Sequence, residues 1–121
     1  MKFIPDAAQG PTITGYGADW VAVNGEQHHN SVLVSSQGIC RPWGSASFAG
    51  LQAAHFDDLV SLEPELVLFG SGARIQFPPP QWLASLFARR IGVETMDTQA
   101  ACRTYNFLAG EGRKVVAALL I

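Results

Sequence analysis

Glu65-Leu66-Val67-Leu68-Phe69-Gly70-Ser71-Gly72, residues 65–72 of a 121-residue chain, decides the fold. A continuous apolar run of strand length that stops at a glycine pair suits a strand buried on both faces, as in the interior of a parallel sheet. Downstream, Pro78-Pro79-Pro80 launches a helix, because proline is well placed in a first turn, and Trp82, Leu83, Leu86 and Phe87 form its apolar stripe. Arg89 and Arg90 favour the C-terminal dipole of that helix, and Gly92 is placed to cap it. Val93-Glu94-Thr95-Met96 reads as a second strand, Asp97 or Thr98 as the N-cap of the next helix, and Gly110 or Gly112 as its stop. Val115 to Ile121 closes the chain as an apolar strand. Strand, helix, strand, helix, strand is the pattern of two right-handed crossovers onto a largely parallel sheet, a C-terminal βαβαβ unit.

Upstream the pattern differs. Residues 1–11 carry prolines and glycine with few periodic apolar positions and are expected to run extended until Thr12-Ile13-Thr14-Gly15-Tyr16 begins a strand. Trp20-Val21-Ala22-Val23, the turn Asn24-Gly25, and a second run ending in Ser31-Val32-Leu33-Val34-Ser35 predict an antiparallel hairpin, since Asn-Gly supplies two positive φ angles. Gly38 to Trp43 reads as a short edge strand ended by Pro42, with Trp43 a core or rim aromatic. Residues 55–62 place Phe56, Leu59 and Val60 on one helical face, closed by Pro64. The expected fold is α/β, with a mixed sheet and a β-rich, hairpin-containing first half.

Composition narrows the class. The chain is 48% hydrophobic and only 15% charged, which excludes disorder and leaves few charges to cover a surface, so some apolar surface is available to a partner. Its length fits one domain, 1–121. With a formal net charge of −2 and only Arg89-Arg90 and Arg113-Lys114 as adjacent basic pairs, nucleic acid is not an expected partner. The longest apolar run, Val115 to Ile121, falls far below the roughly 20 residues of a membrane-spanning helix. The start, broken by Pro5 and Asp6, lacks the look of a signal or transit peptide, and a cytoplasmic location is expected. Cys40 and Cys102 lie far apart with no Cys-x-x-Cys or Cys/His cluster, so neither a disulfide framework nor a metal site is expected, and no cofactor motif is present. His28 and His29 are adjacent on a strand, point to opposite faces, and do not ligate one ion together.

Ligands of open α/β sheets settle beyond the carboxyl ends of the strands, which selects residues 70–74 and 95–98. Gly70 and Gly72 would let backbone N–H groups approach an acceptor. Ser71 and Thr98 add hydroxyls, Arg74 a fork, and the helix after Asp97 its positive end, so a small anion is one candidate ligand. The bland reading of Gly-Ser-Gly is a tight turn, short of any dinucleotide or P-loop fingerprint. On a helical wheel Ala100, Ala101, Thr104, Phe107 and Leu108 form the expected core stripe, with Gln99, Cys102, Arg103 and Asn106 outside it. Cys102, early in the helix beside Arg103, has either of two roles: a thiolate nucleophile, for which no histidine base lies nearby in sequence, or a small packed thiol. Tyr105 and Asn106 read as a packed phenol and a surface or loop-bracing amide.

The order Gly70-Ser71-Gly72, Phe77-Pro78, then Thr98-Gln99-Ala100-Ala101-Cys102-Arg103-Thr104-Tyr105-Asn106, a glycine and an apolar terminal strand resembles the small Mth-type family of unknown function, in a bacterial form. That family includes the mitochondrial respiratory complex I assembly factor 3 and an adipogenesis-associated human protein. The resemblance implies a three-layer α/β fold and a non-enzymatic accessory or assembly role exercised through protein partners. It supplies no catalytic residues. The alternative is a small-ligand binder or enzyme using Gly70, Ser71, Gly72, Arg74, Asp97 and Thr98, with Cys102 and Arg103 beside them.

Overall fold

The computed structural model describes residues 10–121, so the reading of an extended start at residues 1–9 lies outside the described residues. The described residues form two sheets. A three-stranded antiparallel sheet has the order β1-β2-β3, from β1 (Ile13–Tyr16), β2 (Val21–Val23) and β3 (Glu26–His28). A five-stranded mixed sheet has the order β5-β4-β8-β6-β7. Its strands are β4 (Val32–Ser35), β5 (Ile39–Pro42), β6 (Leu66–Gly70), β7 (Gly92–Met96) and β8 (Val115–Leu119). β6 runs parallel to both β7 and β8, and β4 runs antiparallel to β8 and β5.

The βαβαβ unit is present as the sequence predicts. The first crossover passes through a 3-10 turn, Pro80–Leu83, into α2 (Ala84–Ala88), and the second through α3 (Thr98–Gly110). The two helices cover opposite faces of the sheet. The path from β6 to β7 moves outward and the path from β7 to β8 returns past β6, so reversing direction and face together keeps both crossovers the same hand, as right-handed connections require.

Burial follows from sheet position. Successive residues of a strand face opposite sides, and in β4, β6 and β8 both sides meet other layers. Leu33, Val67, Phe69, Val116 and Ala118 pack against α1 (Ala53–Asp57), α2 and their flanking turns through Phe56, Leu59, Leu83 and Leu86. Val32, Val34, Leu68, Ala117 and Leu119 face α3 and the three-stranded sheet. The result is three layers: α1 with α2, the five-stranded sheet, and α3 with the small sheet.

Several sequence expectations shift. Asn24 and Gly25, with φ of 50° and 86°, make the hairpin turn, but the second arm is the polar Glu26–His28, paired Val23 to Glu26. Val32, Leu33 and Val34 are buried on both sides, and only an interior place between β5 and β8 satisfies that. The helix read over 55–62 divides into α1 and a 3-10 turn, Val60–Leu62, with Phe56 and Leu59 buried as expected. Arg90, not Gly92, takes the left-handed turn after α2 at φ 59°, and Gly92 already belongs to β7. Phe87 is exposed: a helix this short buries one narrow row, here Leu83 and Leu86.

The stripe of α3 is also turned relative to the wheel. Thr98, Ala101, Cys102 and Tyr105 are buried, whereas Phe107 points outward. Hydrophobicity placed Phe107 in the stripe, but the space beneath the helix is shaped by Ile13, Val21 and Leu68, and Tyr105 fills it.

Candidate functional site

Because β6, β7 and β8 are parallel, their carboxyl ends lie together, with Gly70 opposite both Met96 and Leu119. The two predicted loops therefore meet. They are also laced to each other. Ser71 N donates to Met96 O at 2.9 Å, Thr98 N to Gly72 O at 2.9 Å, and Leu120 N to Gly70 O at 2.9 Å. Thr98 Oγ1 accepts from Gly72 N at 2.9 Å and donates to Leu120 O at 2.6 Å. Ser71 Oγ accepts from Gln76 N at 2.8 Å, with Arg74 O at 2.8 Å and Met96 O at 3.2 Å as its acceptors. A hydroxyl has one proton to donate, so both Ser71 and Thr98, each buried, spend theirs on the chain itself.

The two glycines serve different ends. A Cβ on Gly70 would lie 2.9 Å from Leu119 Cδ2 and 3.0 Å from Thr98 Cα, so the first glycine admits the helix start against the strand end. Gly72 has open space around it but a φ of 106°, so the second is required by backbone conformation. Asp97 is the N-cap of α3, accepting from Ala100 N at 2.9 Å through Oδ1.

A cleft of about 320 Å³ lies where these ends approach the small sheet, with Gly72, Asp97, Thr98 and Gln99 on one wall and Gly17 and Trp20 on the other. Of the eight predicted site residues, Gly72, Asp97 and Thr98 line this cleft. Gly70 and Ser71 lie buried beneath it, and Arg74 is exposed outside it. Cys102 is fully buried among Ile13, Val32, Leu68 and Tyr105, and Arg103 points away to Tyr16, with its Nη1 3.2 Å from the phenol oxygen. Burial pushes the Cys102 thiol up to about 12, against a lowering influence of Arg103 and with a further rise from Asp97. At neutral pH this side chain is a protonated, packed thiol.

The rest of the Cys-Arg-Thr-Tyr-Asn stretch fastens α3 to β1. Tyr105 Oη donates to Pro11 O at 2.7 Å. Asn106 accepts from Ile13 N at 2.9 Å through Oδ1 and donates to Ile13 O at 2.7 Å through Nδ2, so one amide satisfies both polar groups of a strand residue. Two features escaped sequence reasoning. Cys40 on β5 lies 3.8 Å from His28 on β3, a pairing that a chain separation gives no sign of. Ile75, Phe77, Phe87 and Phe107 are exposed, and for Phe77 the only hint was its place between a loop and a proline run.

The sequence profile of a family described as protein of unknown function, DUF498/DUF598, matches residues 13–120. The chain belongs to that family. It is 34% identical over 110 residues to a Bos taurus protein named NADH dehydrogenase (ubiquinone) 1 alpha subcomplex assembly factor 3, a match that takes in 89% of this chain and 59% of the bovine one. The chain thus spans little more than half of that relative's length. It is 34% identical over 121 residues to an uncharacterized protein of Rhodobacter capsulatus, covering 96% of this chain and 89% of the relative. Its fold is that of a Bordetella pertussis protein solved in solution as a Mth938-like domain, with a TM-score of 0.84, 30% identity, and coverage of 99% of this chain and 90% of that one. The family resemblance read from the motif order is therefore correct, and bacterial members exist. Among the described residues no helix is long and apolar enough to cross a membrane.

Proposed function

We propose that this protein is a non-enzymatic accessory factor that works in the cytoplasm by holding protein partners, as its relatives named for assembly of NADH dehydrogenase would do. The observation that carries this reading is a contrast in how side chains are used. The hydroxyl, amide, phenol and thiol groups of the motif are spent on the chain's own backbone and core, while Phe77 and Phe107 remain 70% and 65% exposed. Large exposed aromatics are the side chains that anchor protein interfaces when a partner buries them. The test is affinity purification of the tagged chain from its native host beside Phe77→Ser and Phe107→Ser variants. A stoichiometric partner is expected with the unaltered chain and is lost in at least one variant; a partner kept equally by both variants, or none at all, would sink the reading. Its narrower form, assembly of an NADH dehydrogenase, expects that enzyme's activity in host membranes to fall when the gene is deleted.

A second reading, a small ligand held where residues 70–74 and 95–98 meet, draws support from the cleft of about 320 Å³, a volume in the range of small-ligand pockets. The Asp97 carboxylate in its wall favours a ligand carrying hydrogen-bond donors over an anion. Nuclear magnetic resonance titration with phosphate and with a small amine library separates the two, and no shift at Gly72 or Gln99 with either would remove this reading.

A further inference from the structure

The edge strand β5 and the last strand of the small sheet, β3, belong to different sheets, yet they bring two chemically active groups together. Cys40 is exposed, and its Sγ lies 3.8 Å from His28 Nε2, a separation that a small rotation of either side chain closes for proton transfer. A cleft of about 390 Å³ opens over the pair, lined by Gln27, His29, Asn30 and Arg41 in addition to the two. The arrangement separates the roles of the two cysteines: Cys102 has no route to solvent, whereas Cys40 has both a route and a base.

The charged and titratable surroundings make the base necessary. Partial burial and the Glu26 carboxylate, two residues before His28 on β3, both push the Cys40 thiol up. The guanidinium of the neighbouring Arg41 is engaged by Asp58, its Nη2 3.0 Å from Oδ2. From α3 the Tyr105 phenol is the titratable group that feels Cys40, itself pushed up by burial and by Cys40. Among the described residues no cation lowers the Cys40 thiol, and attack by this sulfur depends on a group that removes its proton, which is the His28 imidazole.

We infer that Cys40 and His28 form a thiol–imidazole pair that exchanges with small-molecule disulfides in the cleft between β3 and β5. With its own proton on Nδ1, His28 takes the Sγ proton at Nε2, and Sγ attacks one sulfur of the disulfide. The disulfide bond breaks as the Cys40 mixed disulfide forms, and the departing thiolate takes the proton back from His28. One thiol and one disulfide enter, one mixed disulfide and one thiol leave; Cys40 is oxidised and the small-molecule disulfide, itself the oxidant, gives up one sulfur as the reduced thiol. The reversible cap would sit at the edge of β5, where it also blocks the approach of another strand.

The experiment is stopped-flow reaction of the full chain with dithiodipyridine, an uncharged aromatic disulfide, as a function of pH. A single fast equivalent is expected, retained in Cys102→Ser and lost in Cys40→Ser. His28→Gln is expected to slow it by roughly a hundredfold near neutral pH, the lower end of what a positioned base supplies. In the unaltered chain the rate should rise with pH and level before the alkaline range in which an unassisted thiol ionises. A His28→Gln rate within about twofold of the unaltered chain overturns the inference, since a positioned base contributes far more. So does a native rate that climbs without levelling into the alkaline range, a readout that needs no variant to fold.

Discussion

The face of the five-stranded sheet that carries α1 and α2 is closed by rings. Phe56 and Phe69 meet edge to face with centroids 5.3 Å apart, Trp43 joins both at 5.5 and 6.1 Å, and Phe48 and Trp82 complete the cluster. Its one buried polar tip, the Trp43 indole N–H, reaches His55 O at 3.0 Å. The face that carries α3 is closed differently, by aliphatic packing fastened with polar clamps, Tyr105 to Pro11, Asn106 to Ile13, and Thr98 to Leu120. The difference follows from what each layer must attach. Helices satisfy their own backbone groups, so α1 and α2 need only apolar contact. The small sheet has an edge strand, β1, whose outer N–H and C=O groups have no ladder partner, and the Asn106 amide supplies what a neighbouring strand would have supplied. The most site-like motif in the chain is therefore in large part the joint between two sheets.

That contrast can be broken on its apolar side first. Phe69→Ala removes the ring shared by Trp43, Phe48 and Phe56 and is expected to cost about 3–5 kcal/mol of unfolding free energy in a denaturant titration. A loss under about 1 kcal/mol would show that the aromatic cluster is not the mainstay of its face.

Alkaline pH probes the other face with an effect nearly as large. Below its ordinary value of 9.0 the Cys102 thiol is protonated whether the chain is folded or not; above it the unfolded chain releases the proton while the folded chain holds it to about 12. Stability is thus fully present below about pH 9 and falls between there and pH 12, by on the order of 4 kcal/mol from this group. Tyr105, also pushed up by burial, adds a loss of the same sign that begins at a higher pH. Cys102→Ala should flatten the first part of that decline, and an unchanged pH profile would contradict the burial argument.

Smaller changes sharpen the comparison. Asn106→Ala strips Ile13 of both partners and is expected to cost about 1–3 kcal/mol, with faster hydrogen exchange at the Ile13 amide as its local signature. Gly72→Ala meets no atom and carries only the strain of its φ, about 1 kcal/mol, whereas Gly70→Ala should cost more because its Cβ meets backbone as well as side chain. Equal losses at the two glycines would undo the separate roles assigned to them. Arg103→Ala, which breaks an exposed bond to Tyr16, should change stability by less than about 0.5 kcal/mol.

The parts of this molecule legible in the sequence are those whose cause is local. The glycine-bounded run of β6, the Asn24-Gly25 turn, the Asp97 cap and the alternation of strand and helix after residue 65 each depend on neighbours within a few positions. The convergence of residues 70–74 and 95–98 was also legible, because parallel strands must end together. What could not be read was the use of those groups. A serine or threonine at a strand end is equally suited to a ligand and to a carbonyl of its own chain, and only the position of Leu120 and Met96 makes the second arrangement.

By itself, then, the sequence determined the family, the C-terminal βαβαβ order and the place where strand ends meet, since spacing, turn chemistry and propensity act along the chain. Tertiary structure alone decided that Val32–Ser35 joins the large sheet, that Tyr105 and not Phe107 enters the core, and that Cys40 rather than Cys102 meets a histidine. Those outcomes are set by the shape of space between layers and by contacts between residues distant in the chain, and periodicity carries no record of either.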